Sequence, residues 1–191
     1  MVGLDFASLI RFVEGDLVYQ VSFFWNTLPL YLSNFVYIIV YTFILWFIPL
    51  YLLFKKEKTP IKMFSYGFLL IYTIALPFYL FFPVTNVYRF YGLQSPLEQT
   101  IPMIENFFYF TTTSNNCLPS LHTSMSILTT WVASLCQNKK IYYFTFFSMI
   151  GVVISVFYLA IHWITDVITG GLTAAAVILL LRFFIQENRK K

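Results

Sequence analysis

The chain has 191 residues, of which 59% are hydrophobic and only 10% are charged, with a formal net charge of +4. A soluble domain carries about 25% charged residues, so this composition excludes a soluble protein and predicts an integral membrane protein of one domain. The positive balance does not indicate a nucleic-acid partner, because the lysines occur in short loops between apolar runs and not on one face.

The first 32 residues carry too many charges to span a bilayer, and the same charges exclude a cleavable signal peptide. Apolar residues nevertheless recur at helical spacing within them. Residues 1–32 are therefore predicted to form an amphipathic segment whose helix lies in the membrane interface. A helix packed across the bundle is the alternative. The apolar stripe consists of Phe6, Leu9, Ile10, Val13, Leu17, Val21 and Phe24.

Five apolar runs follow, each about long enough for the ~30 Å apolar core of a bilayer. The predicted fold is all-α: residues 33–185 form a polytopic membrane helical bundle of about five transmembrane helices. A more polar connection, residues 84–118, separates the second run from the third, and a short helix is predicted around residues 97–110. The five runs cover residues 33–54, 63–83, 119–136, 141–160 and 163–185.

Loop charges predict the orientation of this bundle. With five spans, ten of the 12 Lys and Arg residues fall on one side of the membrane. This bias places the C-terminus in the cytoplasm and both histidines, His122 and His162, at the outer boundary of what we predict to be the cell membrane. The ten are Lys55, Lys56, Lys58, Lys62, Lys139, Lys140, Arg182, Arg189, Lys190 and Lys191, and the other two are Arg11 and Arg89.

His162 and Asp166 are four residues apart, so they share a face of a helix. A carboxylate that binds one imidazole nitrogen holds the tautomer and leaves the other nitrogen free, which makes His162 a candidate nucleophile or base. The ordinary alternative is a histidine at a helix start whose polar contact is satisfied by Asp166. An ionisable pair at membrane depth is costly and by default indicates function.

His122 follows Pro119 and Ser120, a pair that is typical of a helix start. Ser120 and the free backbone N–H groups of the first turn would form an anion site. His122 would then lie where it can protonate an oxygen that leaves a bound phosphorus. An ordinary capping sequence with a solvent-facing histidine is the alternative.

Arg89 is the only arginine of the outward connection, and a guanidinium binds phosphate oxygens bidentately. An arginine that merely snorkels to the surface is the alternative. Asn116 offers further hydrogen bonds, or is simply a turn residue. There is no acidic cluster for magnesium, and the spacing of the cysteines and histidines does not match a metal site. We therefore predict no metal and no cofactor.

These residues resemble the motifs of the type 2 phosphatidic acid phosphatase superfamily. Residues 119–122 are similar to its second motif, Pro-Ser-Gly-His, with Leu121 in place of glycine, and residues 155–166 are similar to its third. Residues 83–89 resemble its first motif more loosely, through Arg89. The resemblance implies a helical bundle with the site at its outer end and no metal requirement.

The resemblance also implies a role for each site residue. His162, oriented by Asp166, would attack phosphorus and form a phosphohistidine. His122 would protonate the leaving alcohol and then activate water. Ser120 and Arg89 would hold the phosphoryl oxygens, and we assign Asn116 and Ser155 to the same phosphate-binding set.

The chain departs from the family pattern at three positions. Phe82 stands where the first motif has a lysine, Phe90 where it has a proline, and Val156 where the third motif usually has an arginine. The missing cations make a heavily charged diphosphate a poorer substrate. The pattern without these cations also resembles the branch of inositol phosphorylceramide and sphingomyelin synthases, which lack the arginine of the third motif. Those enzymes pass a phosphorylated head group to an alcohol.

The predicted function is an integral membrane lipid phosphate phosphatase that acts on a phosphorylated lipid of the bilayer. A lipid head-group phosphotransferase is the alternative. A non-enzymatic transporter or scaffold is the third possibility, and it is disfavoured because transporters place polar groups near the midplane and contain repeats. Here the polar residues lie at the ends of the runs.

Overall fold

The computed structural model of the chain describes residues 5–100, 102 and 115–188. Within these ranges the ordered elements are helices, joined by loops that contain one isolated bridge, between Val84 and Asn116. The all-α prediction is thus confirmed. Most of the helix predicted at 97–110, and the terminal residues Arg189, Lys190 and Lys191 used for the orientation, lie outside the described residues.

Eight α-helices of the described residues are numbered α1 to α8 in chain order. A π-helical turn, Val36–Val40, interrupts the regular geometry of the third one. In chain order they are α1 (Ala7–Glu14), α2 (Leu17–Val21), α3 (Thr27–Phe54), α4 (Lys58–Phe81), α5 (Val87–Phe90), α6 (Leu121–Ser134), α7 (Lys139–Tyr158) and α8 (Ile164–Asn188).

Four of the described helices are long and apolar enough to cross a membrane, namely α3, α4, α7 and α8. The run predicted as the third span forms α6, which has 14 residues. At 1.5 Å per residue it is about 21 Å long, short of the bilayer core. Most of α6 is buried, because α4, α7 and α8 pack around it. Four of the five predicted spans thus form helices of spanning length, and the run at 119–136 forms a shorter helix at the centre of the bundle. The turn after α6 reaches the same end of the bundle as Tyr51 of α3, because the Asn138 amide donates to the Tyr51 hydroxyl at 3.2 Å.

The N-terminal segment forms two short helices in place of the single predicted one, and α3 begins at Thr27, earlier than residue 33. Gly15 separates α1 from α2 with a φ of 67°, a left-handed conformation that glycine adopts without strain. Ala7 and Ile10 of α1 are buried against the bundle, whereas Phe12 on the opposite side is 88% exposed. This short helix thus packs on the bundle and still presents an apolar face.

Buried apolar residues form two clusters. One lies among α3, α4, α6 and α8 in the body of the bundle. The other, which we call the loop-end cluster, joins α1, the segment around α5 and the turn between α7 and α8. Its buried members include Ala7, Ile10, Val84, Val87, Tyr88, Leu97, Cys117, Val156, Leu159, Ala160, Ile161 and Trp163. The polar residues predicted to carry the chemistry border this second cluster.

Candidate functional site

The starts of α6 and α8 lie side by side, which brings the two polar stretches together. The backbone N–H of Ser120 donates to the carbonyl of Asp166 at 2.9 Å, and the Ser124 hydroxyl donates to the carbonyl of Gly170 at 2.8 Å. Ser120 is fully buried and caps α6, because its Oγ accepts the backbone N–H of Thr123 at 3.4 Å. The predicted helix start at Pro119 and Ser120 is therefore present.

Gly170 permits this close approach of the two helices. A Cβ at residue 170 would lie 2.5 Å from the carbonyl oxygen of Ser120, whereas a Cβ at Gly171 would meet only Ile127, at 3.9 Å. Small residues allow membrane helices to pack at short distance in this way.

We expect Gly170→Ala to destabilise the protein by about 1–3 kcal/mol, the usual effect of overpacking a tight contact. Gly171→Ala is the matched control, since it adds the same methyl group one residue away in ordinary contact, and it should leave stability unchanged or slightly raised. Thermal unfolding of the two variants in the same detergent measures the difference. Equal melting temperatures would show that the contact is loose.

The turn between α7 and α8 positions His162. The backbone N–H of Tyr88 donates to the carbonyl of Ala160 at 2.9 Å, and the indole N–H of Trp163 donates to the carbonyl of Thr85 at 2.9 Å. Residues 85–88, which lead into α5 and belong to the stretch that resembles the first motif, thus hold the turn before α8 through these two hydrogen bonds.

The two imidazoles and the Asp166 carboxylate lie close together in the structure. The ring centroids of His122 and His162 are 5.7 Å apart, with their planes inclined at 59°. Nδ1 of His162 lies 3.3 Å from Oδ2 of Asp166, which also accepts the backbone N–H of Trp163 at 2.9 Å. Asp166 is fully buried and His162 is 4% exposed. A carboxylate therefore faces one nitrogen of His162, and the second imidazole stands beside the ring.

This arrangement suits transfer of a group that is bound between two neighbouring imidazoles. With Nδ1 of His162 engaged by Asp166, Nε2 is the nitrogen available as a nucleophile. The adjacent ring of His122 is close enough to serve the same bound group as an acid or a base. A carboxylate behind one imidazole and a second imidazole beside it thus match a two-step, covalent reaction.

Two tyrosines that the sequence analysis did not single out pack on His122. The rings of Tyr37 and Tyr41 lie 4.4 and 4.5 Å from its ring, and Tyr37 is almost completely buried. They are four residues apart on α3, at the π-helical turn, a geometry that recurs at functional sites. The four-residue spacing of the two tyrosines could have indicated a shared helix face. It does not stand out in the sequence, because the chain contains 23 Phe and 14 Tyr residues.

The remaining predicted residues are placed less closely. Ser155 is buried, and its hydroxyl donates to the carbonyl of Val152 at 2.8 Å, so its one proton is engaged within α7. Asn116 is exposed and joins Val84 through a backbone bridge. Arg89 lies on α5 with an exposed side chain. The structure thus gathers His122, His162, Asp166 and Ser120, and the roles of all seven residues stay predictions.

One group of donor atoms has a composition suited to a metal ion. Ligand atoms of Cys117, His162 and Asp166 lie within 4.8 Å of one another, and all three residues are buried. The set of sulfur, nitrogen and oxygen would suit zinc, provided that the sulfur is a thiolate. Burial raises the pKa of the Cys117 thiol well above its usual value, so the group is a neutral thiol near neutral pH. The two cysteines of the chain, Cys117 and Cys136, are not joined by a disulfide.

Comparison with known proteins shows which family the chain belongs to. A family model described as the PAP2 superfamily matches residues 85–190, more than half of the chain, and this range contains both histidines and Asp166. No curated protein and no solved structure shows a significant match. The chain therefore belongs to the PAP2 superfamily, the superfamily of the type 2 phosphatidic acid phosphatases.

Proposed function

We propose that the protein is an integral membrane lipid phosphate phosphatase that works through a phosphohistidine. Membership of the PAP2 superfamily supports a phosphatase or phosphotransferase type of function. The observation that carries the specific proposal is the pair of imidazoles at 5.7 Å with the Asp166 carboxylate behind His162. A nucleophile, its orienting group and a separate acid are thereby within reach of one phosphoryl group.

In the first step, Nε2 of His162 attacks the phosphorus of the lipid phosphate and the P–O bond to the lipid breaks. His122, in its protonated form, transfers a proton to the leaving oxygen, so the lipid departs as an alcohol and not as an alkoxide. Asp166 stabilises the positive charge that develops on the His162 ring. The products of this step are the free lipid alcohol and a phosphohistidine.

In the second step, His122 is neutral and takes a proton from water. The resulting hydroxide attacks the phosphorus, the P–N bond to His162 breaks, and inorganic phosphate leaves. Both histidines return to their starting protonation states. The cycle consumes one water and requires no redox partner.

The negative charge of the phosphoryl oxygens would be balanced by groups of the chain itself. The first turn of α6, which Ser120 caps, offers backbone N–H groups to an anion. Arg89, Asn116 and protonated His122 would complete the set, and Ser155 was assigned to it on the family resemblance. Electrostatic stabilisation by such fixed donors can replace a metal ion in phosphoryl transfer.

A head-group phosphotransferase is the second candidate, and two apolar positions favour it. Val156, where the family usually has an arginine, is completely buried in the loop-end cluster. Phe82, where the first motif has a lysine, packs on Phe6 with the ring centroids 5.3 Å apart. Apolar packing thus occupies positions that bind or adjoin phosphate in the family pattern, which favours a substrate with a single, diesterified phosphate.

The test is an assay of purified protein in detergent with lipid phosphates in one set of samples and a phosphodiester lipid such as phosphatidylcholine in another. Each set is run with and without EDTA and with and without an alcohol acceptor. We expect inorganic phosphate release at the same rate with and without EDTA, and no new phosphodiester. With the phosphodiester lipid, transfer of the phosphorylated head group to the alcohol, which releases the lipid alcohol and forms a new phosphodiester, would identify the phosphotransferase. Absence of both products across phosphatidate, phosphatidylglycerophosphate, polyprenyl phosphate and the phosphodiester lipid would contradict both proposals.

We further propose that the site opens at the outer face of the cell membrane, with the C-terminus in the cytoplasm. Ten of the 12 Lys and Arg residues on one side of the predicted spans support this orientation. Protease cleavage of a C-terminal tag in sealed vesicles of known orientation tests it. Cleavage of the tag from the outside would reverse the assignment.

A further inference from the structure

The N-terminal helix makes a direct contact with the helix that carries Asp166. Oε2 of Glu14 accepts the backbone N–H of Ile164 at 2.9 Å, and Oε1 accepts that of Thr165 at 2.5 Å. These N–H groups belong to the first turn of α8, where no partner exists within the helix. A carboxylate is also the charge that a helix N-terminus favours. The contact joins residues 150 positions apart in the chain.

Glu14 is held on a docked helix and does not reach the site from a loose tail. The backbone N–H of Phe6 donates to the carbonyl of Pro83 at 3.0 Å, and Asp5 accepts the backbone N–H of Thr85 at 3.2 Å. Ala7 and Ile10 bury their side chains in the loop-end cluster. Three kinds of contact therefore hold α1 against the bundle, and none of them involves Glu14.

The first turn of α8 has two acidic partners, and they divide its N–H groups between them. Oδ2 of Asp166 takes the N–H of Trp163, and Glu14 takes the next two. Within the described residues, Oδ1 of Asp166 has no hydrogen-bond partner. Without Glu14, two donors of the turn would lack an acceptor beside an unpartnered carboxylate oxygen. The backbone of the turn and the Asp166 side chain could then adopt other conformations. Oδ2 of Asp166 would no longer be held against His162.

We propose that Glu14 is a positioning residue for the His162–Asp166 pair, acting by fixing the first turn of α8. The part of this proposal that concerns catalysis rests on the proposed function. Glu14 contacts backbone N–H groups and does not contact the nucleophile. Its removal should therefore lower kcat and leave KM for the lipid phosphate nearly unchanged.

The experiment compares Glu14→Ala and Glu14→Gln with Asp5→Ala. Asp5→Ala is the matched control, because it also removes a carboxylate that docks the N-terminal segment but does not touch α8. We expect Glu14→Ala to lower kcat about 10–100-fold, the usual effect of losing an outer-shell partner. Glu14→Gln, which keeps one acceptor oxygen, should fall between it and the wild type. Asp5→Ala should retain kcat within about threefold.

Hydrogen exchange provides a readout that does not depend on activity. In detergent-solubilised protein, Glu14→Ala should speed amide exchange in peptides that cover the start of α8, around residues 162–170, and Asp5→Ala should not. Unchanged exchange there in Glu14→Ala would overturn the proposal even for an inactive protein. Equal loss of kcat in Glu14→Ala and Asp5→Ala would also overturn it, because only docking of the segment would then matter. An inactive wild type with the expected exchange pattern would count against the proposed function alone.

Discussion

Replacement of His162 by alanine should lower kcat for lipid phosphate hydrolysis by at least about 10⁴-fold, because it removes the atom that forms the covalent intermediate. The ring is almost fully buried and its Nδ1 faces the Asp166 carboxylate, so Nε2 is the nitrogen left for the attack. The wild type, quenched in base during turnover of a ³²P-labelled substrate, should carry acid-labile, base-stable phosphate. His162→Ala should carry none.

His162→Gln serves as a second variant, since it keeps a polar side chain of similar length and limits the cavity left in the loop-end cluster. Both variants should bind substrate vesicles as the wild type does, which separates loss of chemistry from loss of folding. Activity of either variant within tenfold of the wild type would exclude His162 as the nucleophile. Label that persists on another residue would place the covalent step elsewhere.

Replacement of His122 by glutamine should separate the two halves of the reaction. For a lipid phosphate, whose leaving group is a poor one, kcat should fall about 10²–10⁴-fold with the loss of the general acid. An aryl phosphate needs no proton on its leaving group, so its first step should survive. The second step still lacks the base that activates water. The variant should therefore release a burst of phenol equal to the enzyme present and accumulate the phosphoenzyme.

The burst distinguishes this role from simple damage to the pocket. Tyr37 and Tyr41 pack on the ring of His122, so a misplaced side chain there would reduce both steps together. Tyr37→Phe is the matched control, because it keeps the ring contact and removes only the hydroxyl, and it should show no burst. Slow turnover of the aryl phosphate by His122→Gln without a burst would contradict the assignment of two separate roles.

The sequence alone was enough to predict the membrane class and the local arrangement of the polar side chains. Hydrophobicity over about 20 residues is a local property of the sequence. It therefore predicted the helices that are long and apolar enough to cross a membrane. The helix start at Pro119 and Ser120 and the shared face of His162 and Asp166 also follow from local rules, namely capping and the period of the helix. All of these features concern residues within one turn or one run.

The same local rules could not distinguish lipid from protein as the surroundings of an apolar run. The run at 119–136 is predicted as a span like the other four, yet α6 has 14 residues, and most of them are buried because other helices enclose it. An apolar sequence satisfies both environments, and only packing determines which one it meets. For the same reason the stripe on the N-terminal segment did not reveal that one of its sides is buried.

The site itself depends on contacts between distant parts of the chain, and only the tertiary structure determined them. The histidines meet because Gly170 allows α8 to approach Ser120, and Glu14 reaches α8 across 150 positions. Such contacts depend on how helix surfaces fit together and on where connecting loops return. No pattern within a single helix encodes that fit, so the sequence supplied the reactive groups and the packing of the bundle set their arrangement.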